Sequence, residues 1–282
     1  MKARRQAKGD QAARELLPGQ SPALLKALHI LTRDGNLNAD SLRKLKQVNH
    51  LARLLEPAVA DILARFGEPV VVDCGAGKSY LGFILYELFL KDAQKGTLFA
   101  IEERPELVAA ANALAQSLAF KRMSFTQSAI ATAAPPARVH LVTALHACDT
   151  ATDDALALAV RHEADHIAVV PCCQAEVARQ LGEAKPRSAL LEPLFEHPWH
   201  RREFGSHLTN VVRALALEAV GYKVTVTELA GWEHSLKNEL ILAKKVRPSD
   251  AKAKEQLLAL CEAAGVQPKI VRALGLAAPA SA

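Results

Sequence analysis

The segment Val70-Val71-Val72-Asp73-Cys74-Gly75-Ala76-Gly77-Lys78-Ser79-Tyr80 constrains the fold more than any other part of the chain. Three successive β-branched residues suit a strand covered on both faces, as in a parallel sheet flanked by helices. The apolar run Tyr80 to Leu90 (YLGFILYELFL) then reads as a helix packed on that sheet. Gly75 and Gly77 let the backbone turn tightly and come close to a ligand, because no Cβ stands in the way. The spacing excludes two phosphate loops. A dinucleotide fingerprint G-x-G-x-x-G needs glycine where Tyr80 stands, and a P-loop ending in Gly77-Lys78-Ser79 needs glycine where Val72 stands. A plain structural turn without a ligand remains the alternative.

An acidic residue ending a strand, followed by G-x-G, resembles motif I of the class I S-adenosylmethionine (SAM) methyltransferases. The resemblance implies an α/β fold: a Rossmann-like, mostly parallel seven-stranded sheet with a C-terminal antiparallel hairpin, here with an N-terminal helical addition. It also implies SAM as cofactor, with Asp73, Gly75, Ala76, Gly77, Lys78 and His146 among the residues around it. One βα unit later a carboxylate should meet the ribose hydroxyls. Thr97 to Leu107 (TLFAIEERPEL) supplies Glu102 for this, with Glu103 second; the competing reading is an ordinary carboxylate at a helix start. Lys121 to Ile130 reads as the third strand. Many relatives carry an acid after it near the adenine amino group; here Ser128-Ala129 stand there, so Ser128 and backbone groups are expected to take that part.

A chain of 282 residues, half of them apolar, can bury a full core. No apolar run approaches the ~20 residues of a membrane span, and the N-terminus is charged where a signal peptide would be apolar. With five cysteines, an odd number, a disulfide framework is not expected and a cytoplasmic location is. The expected divisions are a basic disordered tail (1–18), a helical addition (19–66), the SAM-dependent methyltransferase domain (67–247) and C-terminal helices with a disordered tail (248–282). Helical periodicity is read over 19–34 and 39–66, the second starting at an Asp40-Ser41 cap. Residues 1–66 hold 12 Lys/Arg against 6 Asp/Glu, while the rest of the chain is balanced. Arg43, Lys46, His50 and Arg53 recur at spacings of three and four and share one helical face. A cationic stripe of this kind suits a phosphate backbone, so RNA is the expected partner, although many such faces are simply solvated.

Val139 to His146 (VHLVTALH) and Asp165 to Val170 (DHIAVV) read as the fourth and fifth strands. Ligands of doubly wound sheets bind at the carboxyl ends of the strands, which gathers His146, Cys148, Asp149, Cys172 and Cys173. LHACDTATDDAL followed by PCCQ resembles the methyltransferase family that includes the tRNA acceptor-stem 2′-O-methyltransferases and the glutathione-S-transferase-C-terminal-domain-containing proteins. The likeness spans roughly residues 40–245 and departs at Cys148-Asp149, where relatives commonly have Cys-Gly. Several roles stay open for the cluster. Cysteine thiolates could add to a pyrimidine for C5 methylation. A zinc site from His146 and cysteines is conceivable, but adjacent cysteines are poor ligand spacing and no metal is expected. Transfer to a ribose hydroxyl or a nitrogen, with His146 or Asp149 accepting the proton, is preferred. Small buried cysteines filling a tight turn are the non-catalytic reading.

Residues 190–221 read as a polar, aromatic and basic loop before an apolar helix. His197, Trp199, His200, Arg201 and Arg202 there combine stacking surface with charge, as a substrate lid would. Tyr222 to Leu229 and Glu239 to Lys245 form the closing hairpin implied by the resemblance. Its polar turn carries Trp232, His234, Lys237 and Asn238 as further substrate contacts. Amphipathic helices are expected within 248–273. The catalytic candidates are thus His146, Asp149, Cys172 and Cys173; the substrate candidates are Arg43, Lys46, Arg53, Arg201, Arg202, His234 and Asn238. The expected activity is SAM-dependent methylation of structured RNA. Alternatives are a methyltransferase for a protein or small molecule, and a SAM-binding RNA-associated protein without catalysis.

Overall fold

The structure is a computed structural model that describes residues 15–32, 34–145, 147–171, 174–183, 192–229 and 239–277. Seven strands are hydrogen-bonded in the order β3-β2-β1-β4-β5-β7-β6. They are β1 Val70–Cys74, β2 Thr97–Glu102, β3 Met123–Gln127, β4 Leu141–Leu145, β5 His166–Val170, β6 Tyr222–Glu228 and β7 Glu239–Lys245. The chain forms two compact units, Met1–Leu141 with Glu228–Asn238, and Val142–Thr227 with Glu239–Ala282.

In the first unit β1 pairs in parallel with β2 (Val70↔Thr97 to Cys74↔Ile101), and β2 with β3 (Leu98↔Met123 to Glu102↔Gln127). Val71, Val72 and Cys74 are buried, as the unbroken valine run requires of a strand covered on both faces. Helix α1, Pro22–Ala27, starts at Ser21 with Pro22 preset for its first turn. It is shorter than the predicted 19–34 helix because His29 takes a left-handed φ of 56° and the chain turns back, which still buries Ile30 and Leu31. Helix α2, Ala39–Arg65, is capped two residues earlier than expected. The Asn38 side chain accepts from the Ser41 N–H at 2.7 Å, while Asp40 sits inside the first turn paired with Arg43 and Lys44. The stretch predicted as one helix from Tyr80 to Leu90 is α3, Tyr80–Leu85, followed by a π-helical turn, Tyr86–Leu90. Glu87 of that turn is buried and accepts the Ser21 N–H (3.1 Å) and hydroxyl (2.6 Å), which ties the N-terminal segment to this helix. Helix α4, Pro105–Ser117, follows β2.

The second unit holds α5, Thr150–Arg161, after β4, and α6, Glu176–Glu183, after β5. Every residue of β5 is buried, and β7 pairs with it antiparallel, His166↔Lys244 to Val169↔Ile241. The predicted lid loop is helical instead: α7, Glu192–Glu196, then α8, Pro198–Ala219, with His197 as N-cap and Trp199 to Arg202 in the first turn. Pro198 lacks an N–H, so it costs nothing at the first helical position and presets φ for the turn. The C-terminal segment forms α9, Ala251–Ala264, and α10, Lys269–Ala273. Among the described residues, no helix is long and apolar enough to cross a membrane.

Candidate functional site

The glycine turn after β1 is built by backbone conformations that side chains resist. Gly75 and Gly77 have φ of 63° and 59°. A Cβ at Gly77 would meet nothing nearer than Arg104 Nη2 at 3.8 Å, so the strain lies in φ and the space over the turn is open. Ser79, also left-handed at φ 51°, is the N-cap of α3 and lies buried with its hydroxyl donating to Asp73 Oδ2 at 3.1 Å. A Cβ at Gly82 would overlap that hydroxyl, so the small residue one turn into α3 is what lets Asp73 and Ser79 meet. The turn is held further by the Ala76 N–H on the Ile101 carbonyl (2.9 Å). Lys78 lines an apolar cavity of about 250 Å³ together with His29, Tyr80, Phe83 and α4 side chains. Burial, with Asp73 adding to it, pushes the Cys74 thiol far up, so it stays protonated and is no nucleophile.

Glu102 stands at the carboxyl end of β2, almost fully buried at 5% exposure. Its Oε2 accepts the Gly77 N–H at 2.7 Å and Arg104 Nη2 at 3.4 Å; its Oε1 accepts the Arg104 N–H at 3.1 Å and Nε at 2.7 Å. Burial raises the carboxyl, but the hydrogen bonds from Arg104 and Gly77 outweigh it and hold the group below the usual value, ionised near neutrality. Such a carboxylate can receive two adjacent hydroxyl donors. Two guanidinium N–H groups lie on it, carried by a side chain that is 60% exposed. Glu103 is exposed. Ser128 is half-buried, its hydroxyl donates to the Ala129 carbonyl at 2.9 Å, and its N–H donates to the Glu102 carbonyl at 3.1 Å.

In the second unit Asp149 adopts φ 47° and ψ −121° ahead of α5. Its Oδ1 accepts the N–H groups of Ala175 (2.8 Å) and Glu176 (3.0 Å), and its Oδ2 pairs with Arg179 at 3.3 Å. The loop after β4 is thereby bound to the start of α6. Cys148 is exposed. His146, Cys172, Cys173, Trp232, His234, Lys237 and Asn238 lie outside the described residues. Trp199 is 59% exposed with the Arg202 guanidinium 4.3 Å from its ring centroid, and His197 and His200 meet edge to face at 5.4 Å. Arg201 donates to the Phe195 carbonyl at 3.1 Å. In the first unit Arg43, Lys46 and Arg53 are all exposed on α2; Arg43 pairs with Asp40 at 2.7 Å and Lys46 lies 4.0 Å from Glu15. Among the described residues, no group of three or more His, Cys, Asp or Glu could hold a metal ion.

Sequence reasoning missed Arg104, Ser79, Arg213 and Asn210. An Arg two residues past the strand-end carboxylate was a visible signal for the first; the others depend on side-chain contacts that spacing does not reveal.

Residues 43–180 match the model of a family described as a methyltransferase domain. None of the curated proteins matches the chain. Among solved structures the chain is similar to an rRNA methylase from Streptococcus thermophilus (10% identity over 69% of this chain and 95% of that one, TM-score 0.44). It is also similar to a SAM-dependent methyltransferase from Aquifex aeolicus (14% identity, 79% and 97%, TM-score 0.44). A third likeness is to magnesium protoporphyrin IX methyltransferase with bound SAH, the demethylated product of SAM, from Synechocystis (13% identity, 79% and 94%, TM-score 0.43). The glycine turn and the Glu102 strand end both lie within the segment that matches the methyltransferase-domain model.

Proposed function

We propose that the protein methylates structured RNA, a tRNA or an rRNA, in the cytoplasm, and that it is related to the tRNA acceptor-stem 2′-O-methyltransferases that its LHACDTATDDAL and PCCQ segments resemble. The observation that carries the RNA reading is the exposed Trp199–Arg202 stack in the first turn of α8. A water-facing tryptophan under a guanidinium offers an unpaired base a stacking face and its phosphate a charge. The exposed Arg43, Lys46 and Arg53 face on α2 supports it as a backbone contact. Arg201, His234 and Asn238 are assigned to the same substrate. The domain assignment remains a helical addition over 19–66, the catalytic domain over 67–247 and C-terminal helices after it.

The residues of the glycine turn fit SAM. Gly75, Ala76 and Gly77 would give its methionine part close backbone approach, Glu102 would accept the two ribose hydroxyls, Ser128 would face the adenine, and Asp73, Lys78 and His146 would border it. SAM supplies a methyl group on a sulfonium that leaves as a neutral thioether. The protein's own part is to align a hydroxyl or nitrogen nucleophile in line with that methyl, exclude water, and take the proton the nucleophile sheds. His146 is assigned that proton. Asp149, Cys172 and Cys173 belong to the acceptor side.

The test is nucleoside mass spectrometry of tRNA and rRNA from cells lacking the protein, restored with wild type or with Gly77→Arg, whose side chain the φ of 59° disfavours. One methylated nucleoside should vanish and return only with wild type. An unchanged profile sinks the RNA reading and points to a protein or a small molecule as acceptor.

A further inference from the structure

A buried polar network joins the loop after β4, the segment after β5 and the first residue of β7. Its centre is Arg213 on α8, whose side chain is 1% exposed against 2% for Asp153 on α5. Arg213 Nε donates to Asp153 Oδ1 at 2.7 Å, Nη1 to Asn210 Oδ1 at 3.3 Å and Nη2 to the Asp149 carbonyl at 2.8 Å. From Asp149 the network passes through its carboxylate to the N–H groups of Ala175 and Glu176. From Asn210 it passes to Glu239 Oε2 (3.0 Å) and receives Gln174 Nε2 (3.4 Å); Gln174 Oε1 in turn accepts the Ser206 hydroxyl at 2.7 Å. Asn210 and Gln174 are both buried.

Burial of a guanidinium and a carboxylate is a poor way to gain stability. Taking both from water costs several kcal/mol, and well-packed apolar residues of similar volume often serve as well or better. Desolvation raises the Asp153 carboxyl, and Arg213 opposes that without cancelling it. What the network gains is geometry. The φ 47°, ψ −121° backbone of Asp149 is one that L residues rarely adopt, and it persists only where its surroundings over-determine it. Here the carbonyl and the carboxylate of that one residue are both held. The loops so fixed follow the carboxyl ends of two neighbouring parallel strands, where ligands of such sheets bind.

We propose that Arg213, Asp153, Asn210 and Gln174 are positioning residues for methyl transfer: they hold the turn at Asp149 and the Gln174-Ala175 segment in the one arrangement that presents the methyl acceptor. The inference rests on the assignment of these loops to the acceptor side. Asp149 acts within it as a strap whose oxygens are already engaged, leaving proton acceptance to another group.

The decisive variant is the apolar replacement Asp153→Leu with Arg213→Met, which removes both charges together and so leaves neither one buried alone. In the SAH-saturated protein it should unfold at the wild-type temperature, yet the Ala175 and Glu176 amides should lose about tenfold in hydrogen-exchange protection. With RNA from cells lacking the protein, kcat should fall about tenfold while the KM for SAM stays within about twofold. Wild-type protection together with wild-type kcat in this variant would overturn the proposal, because a merely structural pair is fully replaced by apolar packing. Gln174→Met keeps the ion pair and breaks the branch to Asn210 and Ser206. It should show the same loss of kcat with SAH affinity unchanged, and an unchanged kcat there also overturns the proposal. If the wild-type protein transfers no methyl to RNA, the RNA reading fails while the exchange measurement still decides the network.

Discussion

Glu102 accepts four hydrogen bonds, and Arg104 supplies three of them. If Glu102 receives the ribose hydroxyls of SAM as proposed, the Arg104 guanidinium that now occupies this carboxylate competes with them. Because that guanidinium is largely exposed, its pairing with Glu102 is weak. Arg104→Ala should therefore raise SAH affinity up to about fivefold by titration calorimetry, whereas Glu102→Ala should lower it by more than about tenfold. A weaker Arg104→Ala variant would assign Arg104 to the ligand and remove Glu102 from the ribose. The places of the glycine turn after β1 and of Glu102 at the end of β2 were legible in the sequence because spacing within one local βαβ unit sets position. Arg104 and Ser79 were not, since a side-chain rotamer and a left-handed φ leave no periodic trace.

Helix α8 shows where packing overrules local preference. Within a helix, Gly→Ala is normally stabilising by roughly 0.5–1 kcal/mol. At Gly205 an added Cβ would lie 2.8 Å from the Ala178 Cα and 2.9 Å from its backbone N, both in α6. Gly205→Ala should thus destabilise the protein by about 1–3 kcal/mol in chemical denaturation, the usual cost of overpacking. A stabilised variant would mean that the two helices separate freely. The same helix also explains the misread lid. Composition from His197 to Arg202 is that of a surface loop, but Pro198 starts a helix whose later turns bury Leu208, Val212, Ala216 and Leu217. The first turn inherits helical geometry from that packing. The C-terminal helices were read from periodicity, whereas the pairing of β7 with β5 came only from the structure, and the cap of α2 moved to Asn38 because the cap belongs to the residue just outside the first turn, which no alternation marks.

At the scale of the whole molecule the basic excess of residues 1–66 is the feature with the longest reach. Arg43, Lys46 and Arg53 are exposed; among the described residues Arg43 pairs with Asp40 at 2.7 Å and Lys46 lies 4.0 Å from Glu15. Reversing all three to Glu should weaken binding to total tRNA and lower the slope of log K against log salt by about two to three, measured by fluorescence anisotropy across a salt series. An unchanged slope would leave this face a solvated one and return the acceptor question to proteins or small molecules. The sequence by itself determined the seven-stranded α/β fold and the carboxylate that ends β2, because strand burial and a glycine turn are written into contiguous residues at fixed spacing. Only the tertiary structure decided that Asp149, Asp153, Gln174, Asn210, Arg213 and Glu239 act as one buried network. Those residues are far apart in the chain, and a buried ion pair is specified by which surfaces fold against each other, a property that no local pattern encodes.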